Sequence, residues 1–218
     1  MIKPEQLAPM IDHTLLRPDA RPEEIERLCH EARENGFAAV CVNSCYVPLV
    51  SRLLKGSPVK VCSVVGFPLG AASTESKAFE AEWAVGQGAQ EVDMVMNMGW
   101  FKAGEMARVQ EDMAAVVKAS AGAVVKVILE TCLLTGEEIR RACALAERAG
   151  ARFVKTSTGF SSGGATVEAV KIMKESVGQR LMVKASGGIR DLASALAMVE
   201  AGADRIGTSS GVKILRGA

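Results

Sequence analysis

Apolar positions along this chain follow two periods that take turns. Stretches with apolar residues three and four apart predict helices, and short β-branched runs predict strands. Ile25, Leu28, Cys29 and Ala32 form one helical stripe behind Pro22, and Met106, Val109, Met113, Val116 and Val117 form another. Leu192, Ala195, Leu196 and Val199 form a third behind Asp191, a fitting N-cap. Thr135 with Glu138 makes a capping box ahead of Ile139 and Cys143. Several helices end at glycine, in Asn35-Gly36-Phe37, Gln87-Gly88-Ala89, Ala149-Gly150-Ala151 and Ala201-Gly202-Ala203. The residue just past a helix often takes a left-handed backbone, which glycine adopts freely.

Strands are predicted after those glycines, at 37–43, 91–97, 153–158 and 204–208. Three more fall between them, at 60–66, 124–130 and 181–186, and a short one, Ile11–Leu15, precedes all. That makes eight. Val124-Val125-Lys126-Val127-Ile128-Leu129 is largely apolar on both faces, as parallel strands covered by helices are. Eight strands alternating with helices in roughly 200–250 residues predict an α/β fold, a (β/α)8 TIM barrel. An open doubly wound sheet is the alternative. No linker or break in composition divides the chain, so one catalytic domain over residues 1–218 is expected.

Composition narrows the function. The chain has 218 residues, 49% apolar and 23% charged, ordinary for a globular protein with a sizeable core. No run approaches the about 18 apolar residues needed to span a membrane, and the start lacks the pattern of a secretory signal. A net charge of +1 gives no reason to expect nucleic acid or a membrane as partner. Six cysteines without a Cys-x-x-Cys pair read as buried hydrophobes in a reducing, cytoplasmic setting. With only His13 and His30, neither a zinc cluster nor a serine-type triad is expected.

The chemistry lies in lysines placed inside strands. Lys155 lies in Phe153-Val154-Lys155-Thr156-Ser157-Thr158-Gly159 and Lys184 in Leu181-Met182-Val183-Lys184-Ala185-Ser186-Gly187. Lysine is rarely buried without a partner or a task. They fall on the sixth and seventh strands, which lie ~4.8 Å apart in a sheet, so inward-pointing side chains can meet. A second cation in a poorly hydrated site lowers a lysine pKa and exposes a nucleophilic amine. Asp93 on strand four, Lys126 on strand five, and Asp12 and Thr14 on strand one add to a polar centre. Taken singly, each also fits a strand-end residue that reaches solvent. Glycine- and serine-rich loops follow the last strands: Thr158–Gly164, Ser186–Ile189 and Gly207–Gly211. Such loops let backbone N–H groups approach a phosphate, and Val212–Leu215 predicts a short helix behind the last one.

The segments Ile11-Asp12-His13-Thr14-Leu15-Leu16, Val65-Gly66-Phe67-Pro68-Leu69-Gly70 and Glu91-Val92-Asp93-Met94-Val95 carry a family resemblance. So do Lys126–Thr131, Phe153–Phe160, Val183–Arg190 and Gly207–Ser210. With these, the chain resembles the deoxyribose-phosphate aldolase family over almost its whole length. The resemblance implies a class I aldolase that cleaves 2-deoxy-D-ribose 5-phosphate reversibly into acetaldehyde and D-glyceraldehyde 3-phosphate. Lys155 matches the lysine that forms the imine, Lys184 its neighbour, and Asp93 the acidic relay residue. Asp12, Thr14, Lys126 and Cys41 match substrate-pocket positions. Gly159, Gly187, Gly188, Gly207, Ser209 and Ser210 match the phosphate loops. The resemblance implies neither cofactor nor metal, and a homodimer or homotetramer acting on sugar phosphate and aldehydes. The residue chemistry agrees, since an imine is an electron sink for carbon–carbon cleavage and needs no metal.

Two departures stand out. Some relatives carry a tail ending in tyrosine; this sequence ends at Ala218 and its sole tyrosine is Tyr46, so a tail-dependent step is expected to be absent or replaced by water. Some relatives place a phosphate-binding lysine after Lys-Thr-Ser-Thr-Gly, where this chain has Phe160. Phosphate is then expected to rest on backbone N–H groups and hydroxyls. Competing readings are another Schiff-base barrel acting on a sugar or keto-acid phosphate, and a phosphometabolite-binding barrel without catalysis.

Overall fold

The β-branched runs pair laterally in chain order, and the last pairs with the first. In the computed structural model, which describes residues 4–217, the strands are β1 (Ile11–Leu15), β2 (Ala39–Val42), β3 (Lys60–Val65) and β4 (Glu91–Val95), then β5 (Val124–Ile128), β6 (Phe153–Lys155), β7 (Met182–Ser186) and β8 (Arg205–Thr208). All pairs are parallel, and β1 closes on β8 with Ile11 opposite Ile206 and Asp12 opposite Gly207. That closure makes the fold a (β/α)8 TIM barrel and rules out the open sheet.

Helices cover the outside. They are α1 (Pro4–Leu7), α2 (Pro22–Asn35), α3 (Val47–Leu53), α4 (Thr74–Gly86), α5 (Met98–Lys102), α6 (Met106–Ala119), α7 (Gly136–Arg148), α8 (Val167–Val177), α9 (Leu192–Glu200) and α10 (Gly211–Leu215). Their ends obey the local signals. Asp191 accepts from the Ser194 N–H at 2.7 Å and caps α9, and the Thr135–Glu138 box caps α7. α2 stops at Gly36, which takes φ +66°. No helix among the described residues is long and apolar enough to cross a membrane.

Three strands end two or more residues earlier than the sequence predicts, at Val95, Ile128 and Lys155. The residues beyond stay buried but leave the regular ladder. Side chains join the backbone bonds there: Thr156 Oγ1 donates to Ser186 O at 2.9 Å and accepts from Ser186 N at 3.0 Å. Of these residues, Thr158 lines the cavity of the site.

Strand period two sorts the residues between two cores. Outward positions such as Val92, Met94, Val125, Val127, Val154 and Val183 pack under the helices with Ala81, Met113, Ala142 and Met173. Burying each large apolar side chain stabilises by roughly 1.5–3 kcal/mol. The inside divides in two. Ala39, Cys41, Cys62 and Val64 form a small apolar cluster with Leu16 at β2 and β3. The rest of the interior carries charge: Asp12, Glu91, Asp93, Lys126, Lys155 and Lys184 are all buried.

Candidate active site

Lys155 ends β6, directly opposite Lys184 on β7. Both amines reach one carboxylate oxygen: Asp93 Oδ2 is 2.9 Å from Lys155 Nζ and 2.7 Å from Lys184 Nζ. The two lysines are not equivalent. Lys184 also contacts Asp12 Oδ2 at 2.5 Å and is wholly buried, whereas Lys155 has Asp93 alone and lines an open cavity. Gly207 makes room for this arrangement, because a Cβ there would meet Lys184 Cε at 2.9 Å.

Asp93 is held from several sides. Its Oδ1 accepts from Lys126 Nζ at 2.8 Å and lies 3.2 Å from Cys62 Sγ. Burial opposes ionisation of Asp93, but Lys126, Lys155 and Lys184 outweigh it and hold the carboxyl well below the usual carboxylate range. Burial also opposes charge on Lys184, and Asp12 and then Asp93 overcome it, so Lys184 is raised and stays an ammonium at neutral pH. Asp12 is drawn down to about 2: burial is the largest influence and opposes the shift, and Lys184, Lys126 and Arg205 prevail.

Above Lys155 opens a cavity of about 300 Å³ at the C-terminal ends of the strands, where barrels of this kind carry their sites. Gly159, Gly187, Gly188, Gly207 and Ser209 line it, as does Thr14. Gly187, at φ +91°, packs so close to Gly164 that its Cβ would lie 3.0 Å from the Gly164 Cα. Phe160 sits on the rim, half exposed, with its ring edge-on to Phe67 at 5.2 Å. Arg17 and Arg190 line the same cavity. Arg17 is engaged by Asp19 at 2.8 Å and Glu24 at 2.7 Å, while Arg190 has no ion-pair partner among the described residues.

The structure divides the residues singled out from sequence into two tiers. Lys155, Thr14, Gly159, Gly187, Gly188, Gly207 and Ser209 face the cavity. Asp93, Lys184, Asp12, Lys126 and Cys41 lie below it, fully buried. Asp12, Lys126 and Cys41 are therefore separated from the cavity and bear on it through charge and packing. Ser210, in the Gly207–Gly211 loop, does not line the cavity; its N–H donates to Thr208 Oγ1 at 2.9 Å.

Sequence reasoning missed several residues. Arg205 bridges Asp12 and Glu91, and Glu91 also contacts Lys126 at 2.5 Å. Glu91 precedes Asp93 by two positions, so strand period would have found it. Arg205 opens β8 opposite Lys184, which only the register reveals. Glu130, left-handed at φ +55°, accepts from Thr158 Oγ1 at 2.5 Å and so fixes the loop after Lys155.

One grouping among the described residues brings metal-type donors together: Cys41, Cys62 and Asp93, with donor atoms within 4.8 Å of one another. Its charges are already met. Lys126 Nζ stands 3.5 Å from Cys62 Sγ and the lysines occupy Asp93. Burial pushes the Cys62 thiol well up, against the thiolate that a metal requires.

Comparison with known proteins shows the family. The model of the DeoC/LacD family of aldolases matches residues 7–217, and the chain belongs to that family. The deoxyribose-phosphate aldolase of Carboxydothermus hydrogenoformans is 58% identical over all of this chain and 97% of its own. Deoxyribose-phosphate aldolase 1 of Bacillus licheniformis is 61% identical over 98% of this chain and 96% of its own. Among solved structures, the tetrameric deoxyribose phosphate aldolase of Aeropyrum pernix superposes with a TM-score of 0.92 at 40% identity, covering 98% of this chain and 91% of that one.

Proposed function

We propose that this chain is the aldolase that cleaves 2-deoxy-D-ribose 5-phosphate reversibly into acetaldehyde and D-glyceraldehyde 3-phosphate, through an imine on Lys155. The observation that carries the reading is the sharing of Asp93 Oδ2 by Lys155 and Lys184 at the floor of a glycine-lined cavity. Curated relatives of that name, at 56–61% identity, support the substrate.

Lys155, as the free amine, adds to the C1 aldehyde of the open-chain sugar, and water leaves to give the imine. The protonated imine draws the C2–C3 bonding electrons as the 3-hydroxyl loses its proton. Glyceraldehyde 3-phosphate departs, and the enamine left on Lys155 takes a proton at C2. Hydrolysis then frees acetaldehyde. Asp93 neutralises the iminium, and Lys184 with Asp93 supplies and receives protons through water. The phosphate rests on the N–H groups of Gly187, Gly188 and Ser209. Arg190 supplies the cation that Phe160 does not.

We assign the protein to the cytoplasm and to a homo-oligomer, dimer or tetramer. The tetrameric relative and the exposed Phe79 on α4 support the assembly. Borohydride reduction with acetaldehyde tests the chemistry: the expected product is N-ethyl-lysine at position 155, formed equally well after EDTA treatment. An adduct on a different lysine would refute the assignment of the nucleophile. Full loss of turnover on chelation would refute metal-free cleavage.

A further inference from the structure

Seven charged groups meet inside the barrel, and six of them close a ring. Asp93 contacts Lys184 at 2.7 Å, and Lys184 contacts Asp12 at 2.5 Å. Asp12 pairs with Arg205, and Arg205 reaches Glu91 at 3.1 Å. Glu91 contacts Lys126 at 2.5 Å, and Lys126 returns to Asp93 at 2.8 Å. Signs alternate all the way round: Lys184, Arg205 and Lys126 against Asp12, Glu91 and Asp93. The ring is electrically neutral. Lys155 attaches to it from outside, through Asp93 alone.

We propose that Arg205 and Glu91 are positioning residues for the aldol reaction, closing a neutral ring that fixes Lys184 and Asp93 against Lys155. This rests on the function proposed above. Each opens its strand, β8 and β4, so each enters from the barrel end opposite the cavity. Residues at that end ordinarily serve stability. These two differ because each touches a group that touches the reacting centre or its neighbour. Without Arg205, Asp12 would keep Lys184 as its one ion-pair contact. Without Glu91, Lys126 would keep Asp93 as its one ion-pair contact. Either loss changes the net charge of the buried network that Lys155 joins through Asp93.

Other titratable groups lie around Asp93 and the loop after Lys155. Cys41 on β2 and Cys62 on β3 flank Asp93 on the apolar side. Glu130, after β5, is bound to Thr158 of the β6 loop. None of these belongs to the ring, so the ring's charge can be altered with each of them intact.

The test measures the initial rate of cyanoborohydride trapping of acetaldehyde against pH. It uses the full chain and the variants Arg205→Met, Glu91→Gln, Arg205→Lys and the double variant Arg205→Met/Glu91→Gln. Arg205→Met leaves the ring one charge negative, so protons are held more tightly. The pH of half-maximal trapping should rise by about one unit. Glu91→Gln leaves it one charge positive, and that pH should fall by a similar amount. The double variant should return near the parent. Arg205→Lys keeps the charge but not the forked contact, so it should trap more slowly with an unmoved midpoint. A purely structural role predicts slower trapping with no opposed shifts, and that result overturns the proposal. So does a shift of the same sign in both single variants. Thermal melts accompany each variant. If Arg205→Met fails to fold, Glu91→Gln decides, since it keeps its shape: an unmoved midpoint overturns the proposal. Absence of any Lys155 adduct in the parent would instead remove the function itself, and this inference with it.

Discussion

Lys155 and Lys184 look interchangeable in the sequence, each in a β-branched run before a small-residue loop. Neighbouring carboxylates distinguish them. Lys184 has two, Asp12 and Asp93, and is held charged, whereas Lys155 has one and faces the cavity. Lys155→Met should abolish the borohydride adduct and lower turnover by roughly 10³-fold or more. Lys184→Met should leave a trappable Lys155 but slow turnover by roughly 10²–10⁴-fold, as measured by aldehyde release. On the phosphate side, Arg190→Ala removes a charged hydrogen-bond donor worth roughly 1.5–3 kcal/mol. KM for 2-deoxyribose 5-phosphate should then rise about tenfold or more, while KM for plain 2-deoxyribose stays put. At this scale the sequence showed which residue types are out of place. It could not show partnership: Asp12 and Lys126, read as pocket residues, are taken up by ion pairs below the pocket.

Helices and strands were legible because their signals are local. Asp191, Thr135 and Gly36 act within one turn of their own helix, and the structure places each cap where the pattern predicts. Strand ends were less legible, because an end is set by what the next strand offers. Between α4 and α6 lies a contact with no local signal at all. Lys77 Nζ donates to Asp112 Oδ2 at 2.7 Å and to Val95 O at 3.0 Å, and Thr74 Oγ1 donates to Asp112 Oδ1 at 2.9 Å. Both charged side chains are fully buried. Each reads in sequence as one more polar residue of a helix face. Lys77→Met would leave Asp112 buried without its counter-ion and should cost about 3–5 kcal/mol. Urea unfolding would measure it. Lys77→Met/Asp112→Leu should recover most of that loss, since a matched apolar pair carries no desolvation cost.

The barrel as a whole depends on a charged interior, and this gives its stability a defined response to pH. Folding lowers the Asp12 carboxyl from 3.8 to about 2, and Asp93 is likewise held well below the usual carboxylate range. Between those values the unfolded chain binds more protons than the folded one. Their stabilising contribution is therefore complete above about pH 5 and is lost as pH falls toward 2. Lys184 acts in the opposite sense: its contribution is present below its unfolded value of 10.5 and is lost as pH rises through its higher folded value. Melting temperature should accordingly fall steeply between pH 5 and pH 2, and Asp12→Asn, which removes one of the two carboxylates, should fall less steeply over that interval. An equally steep fall in the variant would contradict this account.

The sequence by itself determined the eightfold alternation, the helix caps, the inward lysines and the small-residue loops. Each is written in periods of two or 3.6 and in residue types that tolerate few environments. Only the tertiary structure decided that β1 meets β8, and with it that Arg205 meets Asp12 across 193 positions of chain. Closure is a long-range event with no local code, and the ring of charges, the tiers above and below the cavity, and the difference between the two lysines all follow from it.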